Sequence, residues 1–214
     1  MSEITKKLVV SASPHFRAAD TTTKIMLDVI IAMIPALIAS VILFGINSLI
    51  LTVVSVISCV VFEYFSRKVM KRHNTIGDLS AVVTGMLLAF NLPSTMPVWM
   101  VIIGAFVAIV IAKQFFGGIG NNFVNPALAA RAFLLASFPV AMTMWTKTGI
   151  NWVGTGNIDA YTTATPLSFL KAGESGLTAL IDNGITLTDM FIGNIGGCIG
   201  ETSALLIVLG GIYL

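Results

Sequence analysis

Ile25-Met-Leu-Asp-Val-Ile-Ile-Ala-Met-Ile-Pro-Ala-Leu-Ile-Ala-Ser-Val-Ile-Leu-Phe44 decides the fold class. Its ionisable group, Asp28, stands near the start, and Pro35 lies in the middle. An apolar run of about 20 residues crosses the ~30 Å hydrocarbon layer as one helix. A proline is tolerated there when neighbouring helices re-satisfy the carbonyl it frees. The rest of the chain has the same character. It has 214 residues, 56% of them apolar and 10% charged, with mean hydropathy +0.94. A soluble domain is about 25% charged. These values predict an all-α polytopic membrane protein.

Working outward, residues 1–23 carry Lys6, Lys7, His15 and Arg17, with Pro14 breaking any long helix. This polar, mixed stretch reads as a cytoplasmic N-terminal arm on the membrane surface, not a cleavable signal peptide. Gly45-Ile-Asn-Ser48 is an uncharged turn. A second span runs from about Leu49 to Phe65 with Glu63 near its end, and stops at Arg67-Lys68-Val-Met-Lys71-Arg72-His73. The apolar stretch Leu79–Leu92 is too short to cross as a straight helix and reads as a partial or broken span buried among others. Asn91-Leu-Pro93-Ser-Thr-Met-Pro97 is another uncharged turn. A fourth span, Val98 to about Phe116, ends with Lys113-Gln114, and a fifth, about Ala127 to Val140, carries Arg131. Residues 144–189 form the long polar interval. The last span is expected to start near Met190 and reach Leu214, with Asn194, Glu201, Thr202 and several glycines inside it. The sequence stops within that apolar run, which reads as an incomplete chain.

Basic residues orient the spans. The arm through Lys24 holds four Lys or Arg and residues 67–72 hold four, whereas the turns 45–48 and 91–97 hold none. Positive charge is retained on the cytoplasmic side of a cell membrane. Five crossings from a cytoplasmic N-terminus place 144–189 outside and the turn 117–126 inside. The step that decides this is whether 79–92 crosses.

The net charge of +2 is clustered beside apolar spans without aromatic interleaving, so nucleic acid is not an expected partner. Cys59 and Cys198 lie inside apolar runs and read as small packing residues. His15 and His73 sit in basic surface segments and read as solvated. No His, Cys or Asp cluster has metal-ligand spacing, and no nucleophile–His arrangement appears. Ionisable groups in apolar spans default to functional hypotheses. Asp28, Glu63 and Lys113 are near span ends and are expected to reach the interface, while Arg131 and Glu201 sit deeper. Pairing between helices and ion conduction are equally open for them.

Two polar constellations remain. Gly117-Gly118-Ile-Gly120-Asn121-Asn122-Phe-Val-Asn125-Pro126 combines glycines, which let backbone approach a ligand, with amides that read a heterocycle edge. The bland reading is a Gly-rich turn with an Asn-Pro stop. It lacks the preceding strand and the G-x-G-x-x-G spacing of a dinucleotide loop. The other constellation is Asp159-Ala-Tyr-Thr162-Thr163-Ala164-Thr165-Pro166. Hydroxyls closed by a proline read as a surface loop, or as a place where a group is attached through oxygen.

The Thr162-Thr163-Ala164-Thr165 core, with Asp159 before it and Pro166 after it, resembles the flavinylation motif Asp-x-x-(Ser/Thr)-x-Ala-Thr. That motif belongs to the RnfD/NqrB family, whose members are membrane subunits of the Rnf complex and of the sodium-pumping NADH:quinone oxidoreductase. The resemblance implies that Thr165 carries FMN through a phosphoester, attached outside the cytoplasm by a flavin transferase. The family usually has Gly where this chain has Thr163. The 117–126 stretch is similar to the family's Gly-Gly-x-Gly-x-Asn-x-x-Asn-Pro segment. That implies a second, non-covalent flavin, riboflavin in the relatives, held by Asn122 and Asn125 with Gly117, Gly118 and Gly120. Gly200-Glu201-Thr202-Ser203 also resembles a family segment.

The implied fold is an inverted-repeat helical bundle like that of urea-type channels. Residues 24–143 would be the first transmembrane repeat and 190–214 the start of the second. The implied function is an electron-transferring subunit of an ion-translocating oxidoreductase, coupling ferredoxin:NAD electron flow to Na⁺ or H⁺ movement. Its partners would be the other Rnf membrane subunits, the flavinylated RnfG, the iron–sulfur subunits and membrane lipid. The Ala-Thr-Pro ending and the loop lengths favour the Rnf subunit over the quinone-reductase one. A reading from another class, a small-solute channel or transporter, is suggested by the Gly-rich, short spans.

Overall fold

The computed structural model describes residues 20–146, 165, 167, 171, 186–201 and 203–214. The described residues are helical and contain no β-strand. Helix α1 spans Thr22–Phe44 and α2 spans Ile46–Val69. A 3₁₀ turn at Ile76–Asp78 leads into α3, Ser80–Phe90. Helix α4, Val98–Phe106, continues as a π-helix over Val107–Gln114. Then follow α5, Pro126–Ser137, and the short α6, Pro139–Thr143. Beyond the long interval lie α7, Leu187–Ile192, and α8, Ala204–Tyr213.

The buried face of α2 is polar and small: Ser48, Thr52, Ser55, Cys59, Glu63 and Ser66, with Leu51. Its outward face is Ile46, Ile50, Val53, Ile57, Val61 and Phe65, all exposed. Helix α1 buries Ala32, Ala36, Ala39 and Ser40 and exposes Ile31, Ile34, Ile38 and Ile42. Apolar residues outside and small residues inside are what a hydrocarbon solvent selects, because small residues let helix backbones approach closely. Both α1 and α2 are long and apolar enough to cross a membrane. Pro35 sits within α1 without ending it.

Close approach is most evident between α2 and α3. A Cβ on Gly85 would stand 2.7 Å from Val56 Cα, and Ser55 Oγ donates to the Gly85 carbonyl at 2.8 Å. The 11-residue α3 rises only about 16 Å. It nevertheless links the two ends of the bundle, because its flanks complete the crossing. At its start, Thr23 Oγ1 of α1 donates to the Gly77 carbonyl at 3.2 Å. Beyond its end, Asn47 at the α1–α2 joint donates to the Ser94 carbonyl. The helix itself is short, while the 77–94 segment as a whole passes from one end of the bundle to the other.

Two span boundaries differ from expectation. The fifth span stops at Ser137 and restarts at Pro139, because proline donates no N–H and disfavours helical backbone in the residue before it. The expected last span is not one helix: α7 and α8 are separate, with non-helical chain over the described residues 193–201. Gly193, at φ 103°, terminates α7. The broken stretch satisfies its backbone on α3 instead: Ile199 N donates to the Leu92 carbonyl and Gly200 N to the Phe90 carbonyl, both at 3.0 Å. A Cβ on Gly200 would overlap Phe90, so only glycine admits this contact. Helix α8 then lies along α1, with Gly210 against the Ala32 carbonyl.

Candidate functional site

The end of the bundle formed by the close of α2 and the 113–125 segment concentrates the polar chemistry. Glu63 and Lys113 were expected to reach the interface; instead both are buried, with Lys113 Nζ 2.6 Å from Glu63 Oε2. Lys113 Nζ also donates to Ser80 Oγ at 2.6 Å, and Thr75 Oγ1 donates to Glu63 Oε1 at 3.0 Å. Asp78 Oδ1 accepts from both the amide and the hydroxyl of Ser80, at 2.9 and 2.6 Å. The interior position follows from the packing of α2 against the π-helix, which buries Glu63 and Ser66 on one side and Lys113 and Gln114 on the other. A charge in such surroundings requires a partner, and this pair supplies it.

Below this network the chain turns through Gly117, Gly118 and Gly120, with φ of 116°, 98° and 85°. These left-handed conformations suit glycine. Gly118 N donates to the Lys113 carbonyl at 3.0 Å and Gly117 N to the Gln114 carbonyl at 3.1 Å. Arg67 lies over Gly118, where a Cβ would stand 2.5 Å from its Nη2. Arg72 Nη1 donates to the Gln114 carbonyl at 3.2 Å. Two arginines of the basic cluster are thus folded onto the glycine turn.

Among the described residues, the buried side-chain polar atoms without a hydrogen-bond partner are Arg67 Nε, Gln114 Nε2 and Oε1, and Asn122 Oδ1. Native interiors leave few such groups, and these four atoms all lie at one end of the bundle. Asn125 is differently employed: its Oδ1 accepts from Ala127 N at 2.9 Å and caps α5. Pro126 follows at the first helical position, where its missing N–H costs nothing. The Asn-Pro pair of the sequence is therefore a helix start, and the cap engages the Asn125 side-chain oxygen but not its amide nitrogen. Gln114 and Arg67 were not singled out as site residues. Their signal was a glutamine closing an apolar span and an arginine opening a basic run, each with an ordinary interfacial explanation.

Arg131, midway along α5, donates through Nη1 to Asn91 Oδ1 at 2.8 Å and approaches Cys198 Sγ at 3.8 Å. It fastens the non-helical 193–201 stretch to the end of α3. Cys59 and Cys198 are unpaired and buried, in keeping with packing roles. Glu201 is exposed. Asp28 is half-buried and lines a hollow with Ile25 and Val29 that Tyr213 and Leu214 close.

The opposite end of the bundle carries the turns 45–48 and 91–97. The chain leaves α6 there: Ser94 Oγ and Thr146 Oγ1 are 2.9 Å apart, and Thr95 Oγ1 donates to the Met144 carbonyl at 3.4 Å. The polar interval thus opens at the end away from Arg67 and Arg72. Thr165 is half-buried. Asp159, Thr162, Thr163, Ala164 and Pro166 lie outside the described residues, as do Thr202 and the first nineteen residues.

Helices with an apolar exterior, a small-residue interior and a polar knot at one end define an integral helical membrane protein. The family model described as "NQR2, RnfD, RnfE family" matches residues 9–214, and the chain belongs to that family. It is 49% identical over 209 residues to the subunit designated D of the Na(+)-translocating ferredoxin:NAD(+) oxidoreductase complex of Acetobacterium woodii, covering 97% of this chain and 62% of the relative. It is 45% identical to the subunit of the same designation in the proton-translocating ferredoxin:NAD(+) oxidoreductase complex of Clostridium ljungdahlii, covering 96% and 61%. It is 35% identical to the subunit so designated in an ion-translocating oxidoreductase complex of Rhodobacter capsulatus, covering 95% and 62%. The chain spans about three fifths of the length of these relatives.

Proposed function

We propose that this chain is part of an electron-transferring membrane subunit of an ion-translocating ferredoxin:NAD oxidoreductase, carrying FMN on Thr165 and a non-covalent flavin, such as riboflavin, at the 114–122 end. Family membership and the names of the relatives support the complex and its partner subunits. The flavinylation motif supports Thr165. The observation that carries the second site is the set of unpartnered buried atoms on Arg67, Gln114 and Asn122.

Orientation follows the charge rule: Arg67, Lys68, Lys71 and Arg72 mark the cytoplasmic end, and the threonine loop leaves from the extracytoplasmic one. The two flavin positions then lie toward opposite faces. Bound flavin supplies the electron-carrying chemistry, and the protein supplies position and electrostatics. With a flavin bound, the glycine turn would offer bare backbone, Asn122 and Gln114 would offer amide hydrogen bonds, and Arg67 would supply a positive potential. The buried Glu63–Lys113 pair adds no net charge to the neighbouring bundle. The Thr165 hydroxyl provides the oxygen of the phosphoester.

The test is covalent flavin on a denaturing gel of the purified complex. Thr165→Ala removes the fluorescent band of this subunit, and a mass increment of FMN size maps to the Thr165 peptide in the parent. A band that persists in Thr165→Ala overturns the attachment site. The solute-channel reading draws support from the broken α7–α8 passage. A colourless, folded protein from a host with the transferase would favour it.

A further inference from the structure

The unpartnered atoms at the 114–122 end form a chemically specific set. Arg67 Nε–H and Gln114 Nε2–H are donors; Gln114 Oε1 and Asn122 Oδ1 are acceptors. Gln114 is fully buried, so bulk solvent does not reach its amide. Backbone bonds and Arg67 gather the three residues around the glycine turn. Arg67 rests on Gly118; Gly117 and Arg72 both donate to the Gln114 carbonyl; and Asn121 N, next to Asn122, donates to the Gly118 carbonyl at 3.2 Å. Donors and acceptors offered together fit a planar edge that itself alternates them, an imide N–H flanked by two carbonyls. A guanidinium at the same turn favours a ligand whose edge becomes more negative on reduction.

We infer that Gln114 and Arg67, with Asn122, read the imide edge of the non-covalent flavin, Gln114 fixing which ring binds and Arg67 raising its reduction potential. The inference rests on the flavin reading of this end. A neutral amide offering one donor and one acceptor discriminates between ring edges by leaving the wrong edge unpaired. The positive charge stabilises the reduced, anionic edge relative to the oxidised one, so its removal shifts the potential downward.

The experiment uses the complete complex. Non-covalent flavin is quantified after denaturing extraction, and its midpoint potential is measured by redox titration. Covalent FMN on the same subunit reports that each variant has folded. Gln114→Leu removes both amide atoms and is expected to lower non-covalent flavin occupancy on the order of tenfold, with covalent FMN retained. Arg67→Met is expected to lower the midpoint potential of the flavin that remains, while Arg67→Lys restores part of it. A role confined to holding the fold would move occupancy and covalent FMN together and leave the potential unchanged. If Gln114→Leu does not fold, Gln114→Glu, which keeps shape but exchanges the donor for an acceptor, is expected to give the same loss. Full occupancy at an unchanged potential in the folded variants overturns the inference. A parent complex without extractable flavin overturns the flavin reading itself, which is a separate result.

Discussion

Lys113 Nζ lies 2.6 Å from Glu63 Oε2, and neither side chain is more than 2% exposed. The pair joins α2 to the π-helical end of α4 and takes in Ser80 of α3 through the same ammonium. Three elements therefore meet at one charge-neutral point directly above the glycine turn.

Breaking this pair from one side leaves a buried charge. Lys113→Met or Glu63→Leu alone is expected to cost about 3–5 kcal/mol, whereas the double variant returns close to the parent. Thermal unfolding in detergent measures all three. A double variant as unstable as the singles would refute the pairing.

Gly210 and Gly211 of α8 make a matched contrast. A Cβ at Gly210 falls on the Ala32 carbonyl, while one at Gly211 meets nothing within 4 Å. Gly210→Ala is expected to destabilise by roughly 1–3 kcal/mol. Gly211→Ala is expected to be neutral or stabilising by up to about 1 kcal/mol, because alanine is the better helix former. Melting temperatures moving in the same direction for both would contradict the α1–α8 packing.

Arg131 connects Asn91 to the broken stretch at Cys198. Arg131→Met removes that fastening. In the parent, Cys198 is sealed and is expected to resist maleimide. In the variant its labelling rate is expected to rise several-fold while Cys59, on α2, stays protected. Equal labelling before and after would show that Arg131 does not hold this stretch.

Thr186 caps α7: its hydroxyl accepts from Asp189 N at 3.2 Å, and its own amide and hydroxyl donate to Asp189 Oδ2 at 3.1 and 2.5 Å. These bonds to the Thr186 hydroxyl and amide hold the Asp189 carboxyl below its ordinary value of 3.8. A carboxyl lowered by folding contributes stability above its unfolded value and loses it as pH falls through the folded one. Amide protection over 187–192, corrected for intrinsic exchange, is therefore expected to be constant above about pH 5 and to fall below pH 4. Thr186→Ala is expected to cost about 0.5–2 kcal/mol of that protection at neutral pH.

Much of the fold could be read from composition. The spans at Ile25–Phe44 and Leu49–Phe65 declare themselves by length and hydropathy, and α1 and α2 contain them. The expectation that failed for Glu63 and Lys113 failed for a specific reason. Distance from a span end predicts reach to the interface only if no other helix covers that end, and here α3 and the π-helix do. The last span misled because hydropathy does not register a helix break when glycines keep the run apolar. Gly193 and Gly200 break it for different causes, one a left-handed terminus and the other a contact with Phe90.

At the 117–126 turn, the residue types alone did not say which asparagine oxygen is engaged within the fold. Asn122 and Asn125 are indistinguishable as letters, and only the start of α5 consumes the side-chain oxygen of Asn125.

By itself the sequence determined the solvent, the helical class, the charge asymmetry between ends and the threonine motif, because these depend on local composition and on residue type. Tertiary structure alone decided which polar groups are paired. Pairing is a relation between chain-distant atoms, Lys113 with Glu63 and Arg131 with Asn91, set by how the helices pack. The same packing left Arg67 Nε, Gln114 Nε2 and Oε1, and Asn122 Oδ1 without partners among the described residues, the observation on which the proposed flavin site rests.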